Sequence, residues 1–215
     1  MVKLVLHGDE KSTCTQKILI LLEELELKYD FVNIDLSSGK NKEKEYLYKQ
    51  PFGKVPYIEY GEMGMFESRF ILRYISKANR DIKDLYGEDN VYADMWLEVE
   101  GQNFNPPISK IVWEKVYKKM FTEKEEDEKV VNGSLIELEK VFSVYNNQLQ
   151  DKEYLTGSYS IADISHIPYM YKFIKCDSFK KESAKEILKR YPNVYNWIRR
   201  LLKRDAVREV LKKNN

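Results

Sequence analysis

The sequence predicts a mixed α/β domain followed by an all-α domain, and three observations carry that prediction. Between residues 2 and 36, apolar residues alternate at period two, then recur at helical spacing, then alternate again, the pattern of strand, helix, strand. Two shorter alternating runs and a second helix complete the pattern by residue 78. Beyond residue 90 the apolar positions step by three and four, and no strand pattern returns.

In order along the chain, "MVKLVLH" sets Val2, Leu4 and Leu6 on one face of a strand. Over residues 13–27, Ile18, Leu21, Leu22 and Leu25 form a helical stripe opposite Glu23, Glu24 and Glu26. "YDFVNIDL" places Val32, Ile34 and Leu36 on a common face, closing a βαβ unit whose crossover is right-handed by strong precedent. After the polar "SSGKNKEKE", "VPYIEYGEMGMFE" reads as two strands turning at Gly61 and Glu62, and "SRFILRYISKA" as a helix. This order over residues 1–78 matches a thioredoxin-like architecture, although order alone also fits other small α/β folds. Residues 79–90, "NRDIKDLYGEDN", are polar and read as a connector to the helical domain over residues 91–215.

Within that second domain "VYADMWLEVEGQNF" and "IVWEKVYKKMF" are helical, with a bend expected at Asn105-Pro106-Pro107, where two N–H donors are missing. The charge run "EKEEDEK", residues 123–129, reads as a solvated helix start. Val131, Leu135, Leu138, Phe142, Tyr145 and Leu149 then mark one buried stripe. Ser160, with Asp163 three residues on, opens another helix as a variant capping box, and Pro192 and Asp205 open two more.

Composition narrows the function classes. The 36 Lys and Arg nearly cancel the 35 Asp and Glu, leaving a formal charge of +1, so no global field favours nucleic acid or an anionic membrane. The longest apolar runs, such as residues 18–22, are far too short to span a bilayer. No basic and apolar leader precedes the first strand, and a cytoplasmic location is expected. Two cysteines, Cys14 and Cys176, with His7 and His166, suit neither a disulfide framework nor a zinc site, so reduced thiols and no metal are expected.

Three segments could carry chemistry. In "QPFGKVPYIEY" a cis Val55-Pro56 bond would leave the Val55 amide and carbonyl to pair with an extended peptide ligand; a trans proline opening an edge strand is the alternative. In "MFESR", Glu67 and Ser68 stand where a strand ends and a helix starts. Free amides, a hydroxyl and the helix dipole suit a carboxylate there, and Glu67 suits an ammonium, together an amino-acid head group such as a γ-glutamyl moiety. Taken singly, Ser68 also reads as a plain helix cap. Ser12, in "KSTCTQ", ends the first strand-to-helix turn. No base stands arranged to make it a nucleophile, but it can donate to a thiolate brought by a ligand. One such bond contributes roughly 1.5–3 kcal/mol, or about one to two pKa units.

Together "STCT", "PFGKVP", "MFESR", "DMWLEVEGQNF", "EKVVNGSLIELEKVFSVYNNQL" and "YLTGSYSIADISHIP" resemble, in order and spacing over nearly the whole chain, a cytosolic glutathione transferase, most of all the phi class. The resemblance implies a thioredoxin-like glutathione-binding domain, an all-helical domain carrying the electrophile pocket, a homodimer, and no cofactor beyond glutathione as co-substrate. It makes Ser12 the catalytic serine that hydrogen-bonds the glutathione thiolate. It sets Lys42 at the glycyl carboxylate, Asn41 where many members carry histidine, and Lys54 where glutamine is usual. Val55, before the cis Pro56, would pair with the cysteinyl unit, while Glu67 and Ser68 would hold the γ-glutamyl end. Lys11, Thr13, Leu36, Trp113 and Tyr117 would border the electrophile, with a pocket mouth more polar than in several members; Trp113 and Tyr117 also read as helix–helix core. Cys14 reads as a small buried side chain or, alternatively, a thioltransferase thiol, and His166 and Cys176 as structural. The implied activity is conjugation of glutathione to a small hydrophobic electrophile, with peroxide reduction as a second activity; a non-catalytic carrier of hydrophobic ligands is the rival from another class.

Overall fold

A computed structural model describes residues 2–87, 90–176, 179 and 182–212. The chain forms two compact units: residues up to Tyr86 together with those from Asp205 onward, and residues Gly87–Arg204.

The first unit is built on β1 (Leu4–Gly8), α1 (Thr13–Glu24), β2 (Asp30–Asn33), a 3-10 turn (Lys40–Lys42), α2 (Lys44–Lys49), β3 (Tyr57–Tyr60), β4 (Met63–Phe66) and α3 (Ser68–Ala78). The strands lie in the order β2-β1-β3-β4, with β1 and β2 parallel and the other pairs antiparallel. Register sets the faces. Leu6 stands opposite Ile58 and Ile58 opposite Met65, so these three share one face, and all are buried. His7, Tyr57 and Glu59 share the other face, where Glu59 accepts from Lys49 Nζ at 2.5 Å and lies 3.0 Å from His7 Nε2. Burial, reinforced by the Lys49 charge, lowers the His7 pKa.

Several expectations change here. β2 ends at Asn33, so Val32, Ile34 and Leu36 do not form one buried strand face. Val32 is exposed at the sheet edge, Ile34 is buried, and the Leu36 amide bonds to Asp9 rather than to a strand. Val2 lies outside β1 and is exposed. The polar stretch before β3 contains α2, whose only buried residue is Tyr46. The helix opened by Asp205, α11 in chain order (Asp205–Lys212), packs on α1 and belongs to the first unit rather than to the helical domain, burying Val207, Val210 and Leu211. Of the expected connector, Glu88 and Asp89 lie outside the described residues.

The second unit contains α4 (Asn90–Val99), α5 (Asn105–Val112), α6 (Lys118–Thr122), α7 (Glu128–Gln148), α8 (Ile161–Lys175), α9 (Ala184–Lys189) and α10 (Pro192–Leu201). The expected break at Asn105-Pro106-Pro107 is absorbed without leaving the helix. Residues Glu100–Phe104 form a wide π turn, in which the Asn105 N–H reaches back to the Glu100 carbonyl just before the two donorless prolines. A second π turn spans Trp113–Tyr117. The acidic run is not itself a helix start: residues 123–127 are irregular, and Asp127 caps α7 by accepting from the Lys129 and Val130 amides. The α7 stripe is buried at Val131, Leu138, Phe142, Tyr145 and Leu149. At α8, Asp163 Oδ2 accepts from the Ser160 amide at 3.0 Å, the return bond read from the sequence.

Candidate active site

The sheet brings four separate segments to one end. His7 stands opposite Tyr57, Tyr57 opposite Phe66, and Gly8 beside Asn33. The segments after β1, after β2, before β3 and after β4 therefore meet along one edge, and α1 and α3 begin from it. Such an edge, where strands feed helix N-termini, suits an anionic or polar ligand.

Ser12 caps α1 from extended backbone, φ −71° and ψ 126°, and its amide bonds to the Asp9 carbonyl at 2.9 Å. Its Oγ accepts from the Thr15 N–H at 3.4 Å, so the cap uses the oxygen and leaves the hydroxyl proton to be donated. Asp9 holds the turn on both sides, accepting from the Lys11 amide at 2.8 Å and from the Leu36 amide at 3.2 Å. The buried Gln16 adds a bond from Nε2 to the Glu10 carbonyl at 2.8 Å. Neither Asp9 nor Gln16 was singled out from the sequence; an Asp at a strand end just before a tight turn was the available signal. Lys11 is exposed, Thr13 buried and Leu36 half-buried, and all three stand at this same edge.

The Val55-Pro56 bond is cis, which decides between the two readings of "KVP". Among the described residues the Val55 N–H and C=O have no hydrogen-bond partner. The loop ahead of it is braced by Asn41 and Lys42. Asn41 Nδ2 donates to the Gly53 carbonyl at 2.7 Å, and Lys42 Nζ donates to the Gly53 and Phe52 carbonyls at 3.0 and 3.2 Å. Gly53 adopts φ +58°, and a Cβ there would stand 2.7 Å from Lys42 Nζ. Lys54 is exposed, with its backbone pinned: its N–H donates to Gln50 Oε1 at 3.2 Å and its carbonyl accepts from the Tyr46 hydroxyl at 2.7 Å.

Glu67 adopts φ +69° and ψ 104°, a conformation that costs a non-glycine residue on the order of 1–3 kcal/mol. It caps α3 with its backbone alone, the Glu67 carbonyl accepting from the Ile71 N–H at 2.9 Å, so its exposed carboxylate is not used in the cap. Ser68 follows as the first residue of α3 and is buried.

In the second unit Trp113 and Tyr117 mark the start and end of the second π turn. Trp113 is 43% exposed and stacks on Phe121 with ring centroids 6.4 Å apart, which removes it from the helix–helix core. Tyr117 lies 6.0 Å from Phe121, and Lys172 Nζ stands 5.1 Å over its ring. Both line a cavity of about 330 Å³ with Tyr169 of α8, an aromatic that sequence periodicity did not distinguish from packing.

The two halves of this description coincide with two family models. "Glutathione S-transferase, N-terminal domain" matches residues 6–77, and "Glutathione S-transferase, C-terminal domain" matches residues 104–205. The chain belongs to the glutathione S-transferase family. It is 35% identical over 209 residues to glutathione S-transferase PARB of Nicotiana tabacum, covering 93% of each sequence. The crystal structure of glutathione transferase F7 from Populus trichocarpa superposes with a TM-score of 0.91 at 31% identity, covering 99% of both chains. Glutathione S-transferase I from maize, solved in complex with an atrazine glutathione conjugate, gives a TM-score of 0.85 at 28% identity over 99% of this chain and 98% of that one. The plant relatives are of the phi class.

In this transferase Cys14 stays beside the sheet edge, while Cys176 and His166 fall into packing. Cys14 is a half-buried thiol in the first turn of α1, and Cys176 is buried with its Sγ donating to the Lys172 carbonyl at 3.2 Å; neither is in a disulfide. His166 is fully buried; its Nε2 lies 2.9 Å from the Tyr145 hydroxyl and its Nδ1 2.7 Å from the Ala162 carbonyl. A carbonyl can only accept, so Nδ1 carries a proton, and the ring ties α8 to Tyr145 as a core strut. Among the described residues no three His, Cys, Asp or Glu side chains gather as a metal site.

Proposed function

We propose that this transferase ionises the glutathione thiol through a hydrogen bond from Ser12 and adds the thiolate to a small hydrophobic electrophile. The observation that carries the reading is the Ser12 hydroxyl: its oxygen is engaged by the Thr15 amide, and among the described residues no side chain or carbonyl accepts from it. A donor at a helix N-terminus stabilises an anion, and a thiol starting near 8.5 then becomes substantially ionised at neutral pH. The rest of the edge supplies the grip on the peptide. Val55 pairs its unpartnered backbone with the cysteinyl unit, beside Pro56. Glu67 takes the γ-glutamyl ammonium and Ser68 its carboxylate, while Asn41, Lys42 and Lys54 surround the glycyl carboxylate. Lys11, Thr13 and Leu36 are the first unit's candidates for the electrophile, and Trp113 and Tyr117 those of the second unit. The conjugate held by the maize relative supports this class of chemistry.

With an aryl halide, the thiolate sulfur bonds to the ring carbon and halide leaves. With a hydroperoxide, the sulfur takes the terminal oxygen and an alcohol leaves; a second glutathione thiol then attacks the sulfenic sulfur, the S–O bond breaks, and disulfide and water are released. A cytoplasmic homodimer is part of the same reading; exposed Phe52, Met63 and Phe70 on the first unit supply apolar surface for it.

Ser12→Ala should lower kcat/KM toward a chloronitrobenzene at pH 7 by about ten- to a hundredfold, the worth of one charged hydrogen bond, and should move the pH profile toward the alkaline side. An unchanged rate and profile would remove Ser12 from the mechanism. Retention on immobilised glutathione with no turnover of halides, isothiocyanates or peroxides would establish the carrier instead.

A further inference from the structure

The smaller cavity of the second unit has an uneven charge. Its walls are Trp113, Tyr117 and Tyr169, and its two ionised lining residues are Lys110 and Glu114. Glu114 is already neutralised: its Oε2 accepts from Lys118 Nζ at 2.7 Å and from the Asp127 N–H at 2.7 Å. Lys110 is exposed, and its side-chain ammonium has neither a hydrogen-bond nor an ion-pair partner among the described residues. Lys172 adds a second cation, 5.1 Å over the Tyr117 ring. Aromatic walls favour a flat ring, and an unpaired ammonium beside a satisfied carboxylate favours an anion.

We propose that this cavity binds a planar aromatic electrophile carrying an anionic substituent, such as a carboxylate, and that Lys110 sets the preference. The inference rests on the conjugation reading above and narrows its substrate class. Lys110 works as a point charge, so the preference should weaken with salt.

A matched pair tests it: 4-chloro-3-nitrobenzoate and its methyl ester, each titrated into the whole protein without glutathione. Trp96 and Trp197 are buried and Trp113 is 43% exposed, so quenching by a cavity ligand reports mainly Trp113. The acid should bind about three- to tenfold tighter than the ester, between the worth of an exposed ion pair and that of a charged hydrogen bond. Lys110→Gln should bring the ratio to about one, Lys110→Arg should keep it, and Trp113→Phe should remove the quench. Lys110 also lines a larger cavity of about 650 Å³ that Trp113 does not line, so a quench surviving Trp113→Phe would put the ligand elsewhere and overturn the proposal. So would equal affinities, or a preference that survives Lys110→Gln. With glutathione added, KM should show the same acid-to-ester ratio. Turnover of neutral halides without any charge preference would sink this inference alone, whereas a charge preference in binding without turnover of any halide would sink the conjugation reading and leave the ligand class standing.

Discussion

At Gly8 the strand leaves no room for a side chain, because a Cβ there would lie 2.5 Å from Thr15 Cγ2. That contact sets how closely α1 approaches β1, and Thr15 also supplies the amide that the Ser12 hydroxyl caps. Gly8→Ala should therefore lower the melting temperature by about 3 to 10 °C and reduce activity, and Thr15→Ala in the same chain should restore much of the loss. Additive losses in a double-mutant cycle would show that the two residues do not meet. Asp163 is the counterpart in the helical unit. It is fully buried and accepts from the Leu155 and Ser160 amides, the Ser160 hydroxyl and Trp197 Nε1. Burial raises its pKa to about 6 even though each of those donors lowers it. A folded pKa above the unfolded one means that the folded state holds the proton more tightly, so this contribution is fully present below pH ~3.8 and is lost as pH rises through ~6. Asp163→Ala should cost about 3–5 kcal/mol at its best-bonded state, and the stability gap to wild type should widen by on the order of 1 kcal/mol between pH 7 and pH 5. A gap that narrows on acidification in urea titrations would reverse the assignment. Asp163 and Ser160 were legible from their spacing alone. The other two donors were not, because Leu155 and Trp197 reach Asp163 only through tertiary packing.

Among the elements, those with a long apolar stripe were legible and those without one were not. α7 and α3 show in the sequence because they bury one face along several turns. α2 and α9 have six residues each, too few for a period to repeat, and α2 buries only Tyr46. The run through α4, α5 and α6 was read as bent because the usual cost of Pro in a helix was assumed; the π turn before Pro106 removes much of that cost. Likewise the start of α7 was set too early, since charge content does not show where the cap lies. Asp127 accepts at 2.9 Å from Lys129 and at 3.3 Å from Val130. Asp127→Ala should fray this start, costing about 1 kcal/mol and speeding hydrogen exchange at the Lys129 and Val130 amides. Unchanged exchange there would show that α7 is held by packing alone.

For the whole molecule, the candidate site was more legible than the boundary of the unit that carries it. The motifs around Ser12, Val55 and Glu67 are local turn chemistry, and topology needed only to bring them to one edge. Helix α11 has an equally plain apolar face in Val207, Val210 and Leu211, but amphipathicity says that a face is buried and not which partner buries it. A fragment of residues 1–86 should accordingly be unstable, and joining residues 205–212 to it through a flexible linker should restore a cooperative melt; each buried apolar side chain contributes about 1.5–3 kcal/mol. A fragment that melts cooperatively without the helix would show that α11 is dispensable. The return of the chain to α1 also imposes an order in time. Ser12, Val55 and Glu67 leave the ribosome first, yet the helix that covers α1 follows only after all of Gly87–Arg204, roughly ten seconds later at ordinary elongation rates. During that interval the part of α1 that α11 covers has no native cover, α3 being its other neighbour, so the nascent first unit should be a client for chaperones until the helical half has been made.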